Sequence, residues 1–282
     1  MTVVQLKDNL GSGSTTRGPS PGIWGGFPIG PIKDGTIAGQ YFFDDFTDLP
    51  LTKDLTTQID YSRYKAHLDT SCTMTSISTV DSTELGKGIL QIGSNAEDDV
   101  NSLAQAYPSF LLTSTAGKLC FEARIATDDV TTANGLGFFI GLAETEQWTF
   151  DNVHPLAADD TPANDGSMIG FHFPEDDLTT IDTVYTDRAT SFTKVKDAAV
   201  TGLAANTFMK LGMVFDPKLP AAKRITFYKN GVPLADKVTN STLTGLTNLD
   251  ANALGLMLAT VVDSGGAAIN FWMDWWAVGQ IG

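Results

Sequence analysis

The most regular stretch of the chain is KLCFEARIAT at 118–127, where Leu119, Phe121, Ala123 and Ile125 fall on one side and Lys118, Glu122 and Arg124 on the other. A repeat of two predicts an antiparallel strand with one face in a core and the other in water. GLGFFIGLAE (135–144) is apolar almost throughout and broken by glycines, which predicts a central strand lying close to its neighbours. SMIGFHF (167–173), IDTVYTD (181–187), TFMKLGMVF (207–215), LGLMLATV (254–261) and AINFWMDWWAV (268–278) read as further strands. YFFDDF (41–46), GILQIG (88–93) and SFLLT (109–113) precede them. In KRITFYKNGVPLADKV (223–238), Asn230-Gly231 joins two strand-like runs, and this pair supplies the two positive-φ residues of a type I′ hairpin turn. No long segment carries a 3.6-residue apolar stripe. About a dozen short strands in succession predict an all-β chain folded as a two-sheet antiparallel sandwich.

Residues 1–39 break that pattern. They hold nine Gly and four Pro, which suit neither helix nor ladder, yet Ile23, Trp24, Phe27, Ile29 and Ile32 are spaced along them. A pliable segment with large apolar side chains orders by lying on another surface. Trp24, Phe27, Ile29 and Ile32 are therefore candidate anchors to a partner, with the chain's own domain as the other surface they could cover. The expected division is an extended arm at 1–39 and a sandwich domain at 40–282.

Charge then narrows the function. Eighteen basic against 33 acidic residues give a net charge of −15, which repels phosphate backbones and argues against nucleic acid as a partner. No apolar run is long enough for a membrane helix, and the N-terminus lacks the basic and apolar regions of a secretory signal, so no membrane partner is expected. Cys72 and Cys120 form no closely spaced pair and predict neither a disulfide framework nor a zinc site.

FFDDF (42–46), LCFEARI (119–125), GLGFFIGLAE (135–144), IGFHF (169–173), IDTVYTD (181–187), FMKLGMVFD (208–216), ITFYKNGVPLAD (225–236) and FWMDWW (271–276), in this order, resemble concanavalin A-like, laminin-G-like jelly rolls. The nearest similarity is to the version found in virion proteins of tailed bacteriophages, and it covers residues 40–282. That resemblance implies a capsid decoration or cement protein on the outside of the head shell, assembled in the host cytoplasm. It implies the major capsid protein as partner and a homo-oligomer, a trimer on family-level grounds, with no enzymatic activity. The alternative on the same fold is a carbohydrate-binding, lectin-like module with a host glycan as partner.

A glycosidase on a sandwich needs two carboxylates across a glycosidic bond, spaced on one strand like E-x-D-x-x-E. Glu122 has no second acid on its face, Glu144 and Glu146 are followed by a Gln-Trp pair and a loop, and Asp274 has no acid two or four residues away, so the residues also predict no enzyme and no catalytic site. His67, His154 and His172 stand in unrelated contexts, and His172 reads as a core or interface histidine. Neither a nucleophile elbow nor a phosphate loop occurs. Five Asp-Asp pairs are either solvated acidic loops or calcium ligands, with Asp44, Asp45, Asp98 and Asp99 as first suspects and no other cofactor implied. Along 269–278, strict alternation puts Ile269, Phe271, Met273, Trp275 and Ala277 on one face and Asn270, Trp272, Asp274, Trp276 and Val278 on the other. Trp272 and Trp276 around Asp274 are then buried under a neighbour, part of an interface, or a sugar-stacking platform.

Overall fold

A computed structural model describes residues 17–47, 59–60, 63–68, 72–77, 88–94, 99–128, 130, 136–144, 167–173, 180–186, 193–201, 203–220, 223–235, 252–262 and 268–282. Two eight-stranded antiparallel sheets form a jelly-roll sandwich, as the strand pattern predicts. Strands β1 to β16 are numbered in chain order. The first sheet runs β14 (Val232–Pro233), β13 (Ile225–Lys229), β12 (Met209–Phe215), β7 (Leu119–Thr127), β16 (Ile269–Ile281), β5 (Ile89–Ser94), β4 (Thr73–Ile77), with β1 (Gly39–Asp44) on the far half of β16. The second runs β11 (Thr193–Thr201), β10 (Thr180–Thr186), β9 (Met168–Phe173), β8 (Leu136–Ala143), β15 (Gly255–Val262), β6 (Asp99–Gln105), β3 (Tyr64–His67), β2 (Ile59–Asp60). The segment 109–113, expected as a strand, contributes only the bridge of Phe110 to Leu254. Strands β2, β4 and β11 hold few large apolar residues, and the pattern of the sequence does not mark them.

Between the sheets lies one core, in which Phe121, Ile125 and Leu211 of the first sheet meet Ile140, Phe171 and Leu258 of the second. The alternation in β7 places Leu119, Phe121, Ala123 and Ile125 inward as expected. Its other face is not in water: Glu122 and Arg124 are 0% and 1% exposed. The cover is part of the segment expected as an extended, partner-binding arm.

Residues 17–34, here called the strap, lie across the outer face of β7, β12 and β16 and are not extended. Pro21 at a helix start opens the short helix α1 (Pro21–Trp24), and α2 (Ile29–Lys33) follows. Ile23, Trp24, Phe27 and Ile32 are buried in a cluster with Cys120, Val214, Trp275 and Ala277, and Ile29 packs at its edge. The candidate partner anchors Trp24, Phe27, Ile29 and Ile32 are thus spent on the chain's own sheet. The physical reason is that this face holds a tryptophan and aliphatic groups whose exposure to water is unfavourable.

The predicted turn is present, with Asn230 at φ 52° and Gly231 at φ 76° between β13 and β14. Asn230 is tied to β12 twice: its N donates to Lys210 O at 2.8 Å and its Oδ1 accepts from Lys210 N at 2.9 Å. A Cβ on Gly231 would stand 2.6 Å from Cβ of Ser20 in the strap. Gly231→Val should therefore cost at least about 1–2 kcal/mol, from a β-branched residue at positive φ with a contact beneath it. A denaturant melt coincident with that of the parent would contradict this reading of the turn.

β16 carries the other local departure. Met273 pairs with Ile125 but Trp275 pairs with Arg124, so one residue, Asp274, bulges out of the ladder with β7. Beyond the bulge the faces exchange. Trp276 and Val278 turn into the main core, while Trp275 and Ala277 join the strap cluster. Strict alternation placed all four on the opposite sides.

Candidate functional site

Buried charge is costly unless paired, and the strap covers four charged side chains. Asp274 Oδ2 accepts from Arg124 Nη1 at 2.8 Å, and Arg17 of the strap reaches the same carboxylate with Nε at 2.7 Å and Nη2 at 2.6 Å from Oδ1. The Arg124 guanidinium also lies 4.1 Å from the Phe208 ring centroid. Glu122 Oε2 accepts from Ser20 N and from the Trp24 indole, each at 2.9 Å. Lys210 Nζ donates to Gly18 O at 2.6 Å. Burial raises the Glu122 carboxyl above its usual range, opposed by the Ser20, Lys210 and Trp24 contacts. Burial likewise pushes the Lys210 ammonium down to about 8, against the pull of Glu122. Both groups are moved toward their neutral forms, as expected when a cover removes water from charge. Among the described residues this is the main concentration of ionisable side chains, and the strap leaves it closed to a small molecule.

A second constellation stands at one end of the second sheet, around the start of β15. The loop leaving β6 carries Tyr107, 76% exposed. Gln105 Nε2 holds the Tyr107 carbonyl at 2.9 Å, and Ser109 N donates to Leu254 O at 3.1 Å, which returns the loop to β15. On the other side of β15, β8 ends at Ala143 opposite Gly255, so Glu144 emerges next to Leu254. Glu144 Oε1 accepts from Asn252 Nδ2 at 2.6 Å and from Ser167 N at 3.2 Å. β6 and β8 flank β15, so the Tyr107 loop and Glu144 are separated by two strand spacings, about 10 Å. An exposed ring, a half-buried primary amide and, beneath them, a carboxylate only 8% exposed and held by donors thus share one end of the sheet. Tyr107 and Asn252 escaped the sequence reading, because a lone Tyr or Asn in a loop has no periodicity to mark it.

The other sequence candidates fall elsewhere. Asp44 Oδ1 accepts from Phe46 N at 2.8 Å and Oδ2 from the Tyr64 hydroxyl at 2.7 Å, so both oxygens of this calcium suspect serve the fold. Burial, then the Asp44 charge, raises the Tyr64 phenol well above its usual value. Asp45 Oδ1 caps its own turn through the Thr47 hydroxyl at 3.0 Å. Asp98 lies outside the described residues and Asp99 opens β6. Among the described residues no three acidic, His or Cys side chains gather as a metal site. Trp272 and Trp276 make no platform, since the bulge sends them to opposite faces and both are buried, at 6% and 0% exposure. Trp272 Nε1 donates to Gln91 Oε1 at 3.2 Å. His172 is buried in β9, with Phe139 and Asp182 as its register partners on either side.

No family model matches the sequence, and no curated protein matches it. Solved structures do match in fold. An endo-1,3-β-glucanase from Streptomyces sioyaensis aligns over 86% of this chain and 97% of its own, at 11% identity and TM-score 0.52. The carbohydrate recognition domain of Emp47p aligns over 82% and 94%, at 9% identity and TM-score 0.52. An immunostimulatory antigen and pseudo β-1,3-glucanase of Mycobacterium tuberculosis aligns over 86% and 98%, at 12% identity and TM-score 0.50. These establish a concanavalin A-like jelly roll, and none of the three is a virion protein. They also overturn the expectation that the chain is no enzyme, because an endoglucanase is among the structures that share its fold. A search for two acids on one strand was too narrow a test, since carboxylates can converge from different strands.

Proposed function

We propose that this chain is a carbohydrate-binding jelly roll, with its glycan seated on the rim formed by Tyr107, Asn252 and Glu144. The observation that carries this reading is the exposed Tyr107 ring, set across β15 from a carboxylate already held in place by Asn252 and Ser167. Saccharides offer an apolar C–H face and a ring of hydroxyls. An aromatic ring covers the first, and a fixed carboxylate and amide bond the second. The Tyr107 loop and Glu144 stand about 10 Å apart across the start of β15, a span that a short saccharide laid over the strand end would cover. Support also comes from the likeness to a carbohydrate recognition domain and to β-1,3-glucanases, proteins whose names specify glycans.

The test is retention on immobilised oligosaccharides, starting from β-1,3-glucans. Tyr107→Ala should weaken retention about tenfold or more, equivalent to about 1.4 kcal/mol. The melting temperature should stay unchanged, because this side chain packs on little. Reducing ends released during the assay would add hydrolysis to binding. A chain that no glycan retains, but that sediments with virus particles at a fixed ratio, would overturn the glycan reading in favour of a capsid-attachment role.

A further inference from the structure

The sheet recognises the strap largely through its main chain. Glu122 accepts from Ser20 N, Lys210 donates to Gly18 O, the Trp275 indole donates to Arg17 O at 2.5 Å, and the Cys120 thiol points to Ile23 O at 3.5 Å. Three strap side groups are selected as well. Asp274 demands the guanidinium of Arg17, Glu122 the indole of Trp24, and Gly22 leaves no room, since a Cβ there would stand 2.4 Å from Gly231 O. Main-chain bonds for affinity with a few side-chain pockets for selection is the physical pattern of peptide recognition. The motif read is Arg-x-x-x-x-Gly-x-Trp, which this chain itself supplies at 17–24.

The strap is also separable from the fold it covers. Ile23, Trp24, Phe27 and Ile32 belong to a cluster distinct from the main core, in which no strap side chain takes part. Residues 34–38 join it to β1, all of them exposed, with Gly35 at φ 70°. Uncovered, the face would lose the Ser20 amide on Glu122, the Gly18 carbonyl on Lys210 and the Arg17 guanidinium on Asp274. The occupant that restores each of those contacts is the same segment of another molecule.

We infer that the outer face of the first sheet is a peptide-recognition groove, and that a second copy of this chain can fill it with its residues 17–34, so that copies join by exchanging straps. Every contact of the closed chain is then remade between molecules, and concentration with the conformation of the 34–38 connection decides between the two forms. The inference is independent of the glycan reading, because it uses the opposite sheet.

Two measurements on the full chain test it. In the first, a protease site is inserted between Gly35 and Thr36, the folded protein is cut, and a fluorescent synthetic peptide of residues 17–34 is added in excess. Before peptide is added, the cut protein should keep its own segment through gel filtration; in excess peptide it should exchange that segment for the labelled one, up to one per chain. A peptide carrying Gly22→Val should compete at least about tenfold less well, and one carrying Arg17→Ala about two- to fivefold less well, as suits a partly exposed ion pair. In the second, uncut chain is incubated over a range of concentrations and sized, and a dimer fraction should grow with concentration. Failure of the labelled peptide to enter, entry indifferent to Gly22→Val, loss of sheet structure when the segment leaves, or a uniformly monomeric uncut chain would each overturn the proposal.

Discussion

Asp274→Ala should destabilise the protein by about 3–5 kcal/mol, the penalty for breaking a buried ion pair from one side. Asp274 is 0% exposed and serves two guanidinium groups at once. Arg124 would remain 1% exposed with its main counter-charge gone, fixed between β7 neighbours and the Phe208 ring. Arg17 behaves differently, since its side chain is 39% exposed and can turn to water. Arg17→Ala should therefore cost far less, within about 1 kcal/mol for a partly exposed ion pair. Asp274→Asn preserves the shape and one acceptor oxygen, and should fall between the two. Equilibrium urea unfolding of the three variants measures the order. Equal losses for Asp274→Ala and Arg17→Ala would mean that the strap contact, and not the buried Arg124, governs the energy of this cluster.

The order of those costs follows from features that the sequence shows only in part. Period-two alternation in 118–127 and the apolar run at 135–144 sufficed for the sandwich, because those faces are dictated by local composition. The hairpin at Asn230-Gly231 was equally legible, because positive φ at two successive residues is a property of the pair itself. Burial of Glu122 and Arg124 was not legible in β7, whose alternation is that of a strand with one wet face. It depends on a cover donated from about a hundred residues upstream, and nothing local to β7 records that cover. A hint did exist in charged residues lodged inside apolar strands, Lys210 in TFMKLGMVF and Asp274 in FWMDWW, since such residues are seldom tolerated there unless paired. The composition of the Gly/Pro-rich segment implies that it lies on a surface, but not that it forms two short helices there. Its choice between its own sheet and a partner's was undetermined, because Ile23, Trp24, Phe27 and Ile32 fit any apolar face. Tyr107, Asn252 and Glu144 are far apart in sequence and meet only through the strand order β8–β15–β6.

The bulge at Asp274 was the least visible element, and its energetic consequence is large enough to measure. Trp276→Ala should destabilise by about 3–5 kcal/mol, the range for deleting a large aromatic from a packed core. Trp276 is wholly buried, with ring centroids of Tyr64 at 5.6 Å and Phe46 at 5.9 Å, and its indole donates to the Tyr64 hydroxyl at 3.0 Å. Tyr64 in turn donates to Asp44, so the variant empties a space against both sheets and loosens a polar chain that pins the end of β1. Trp272 stands on the far side of the first sheet in a small cluster with Ile89, Ala126 and Phe208. Trp272→Ala should cost no more than about 2 kcal/mol, within the ordinary range for a peripheral contact. Without the bulge, residues 272 and 276 would share a face four positions apart, and the two variants would lose stability together. A pair of calorimetric melts thus reads the register of β16 directly: a wide gap between the two tryptophans places Trp276 in the core, and equal losses would restore the uninterrupted strand.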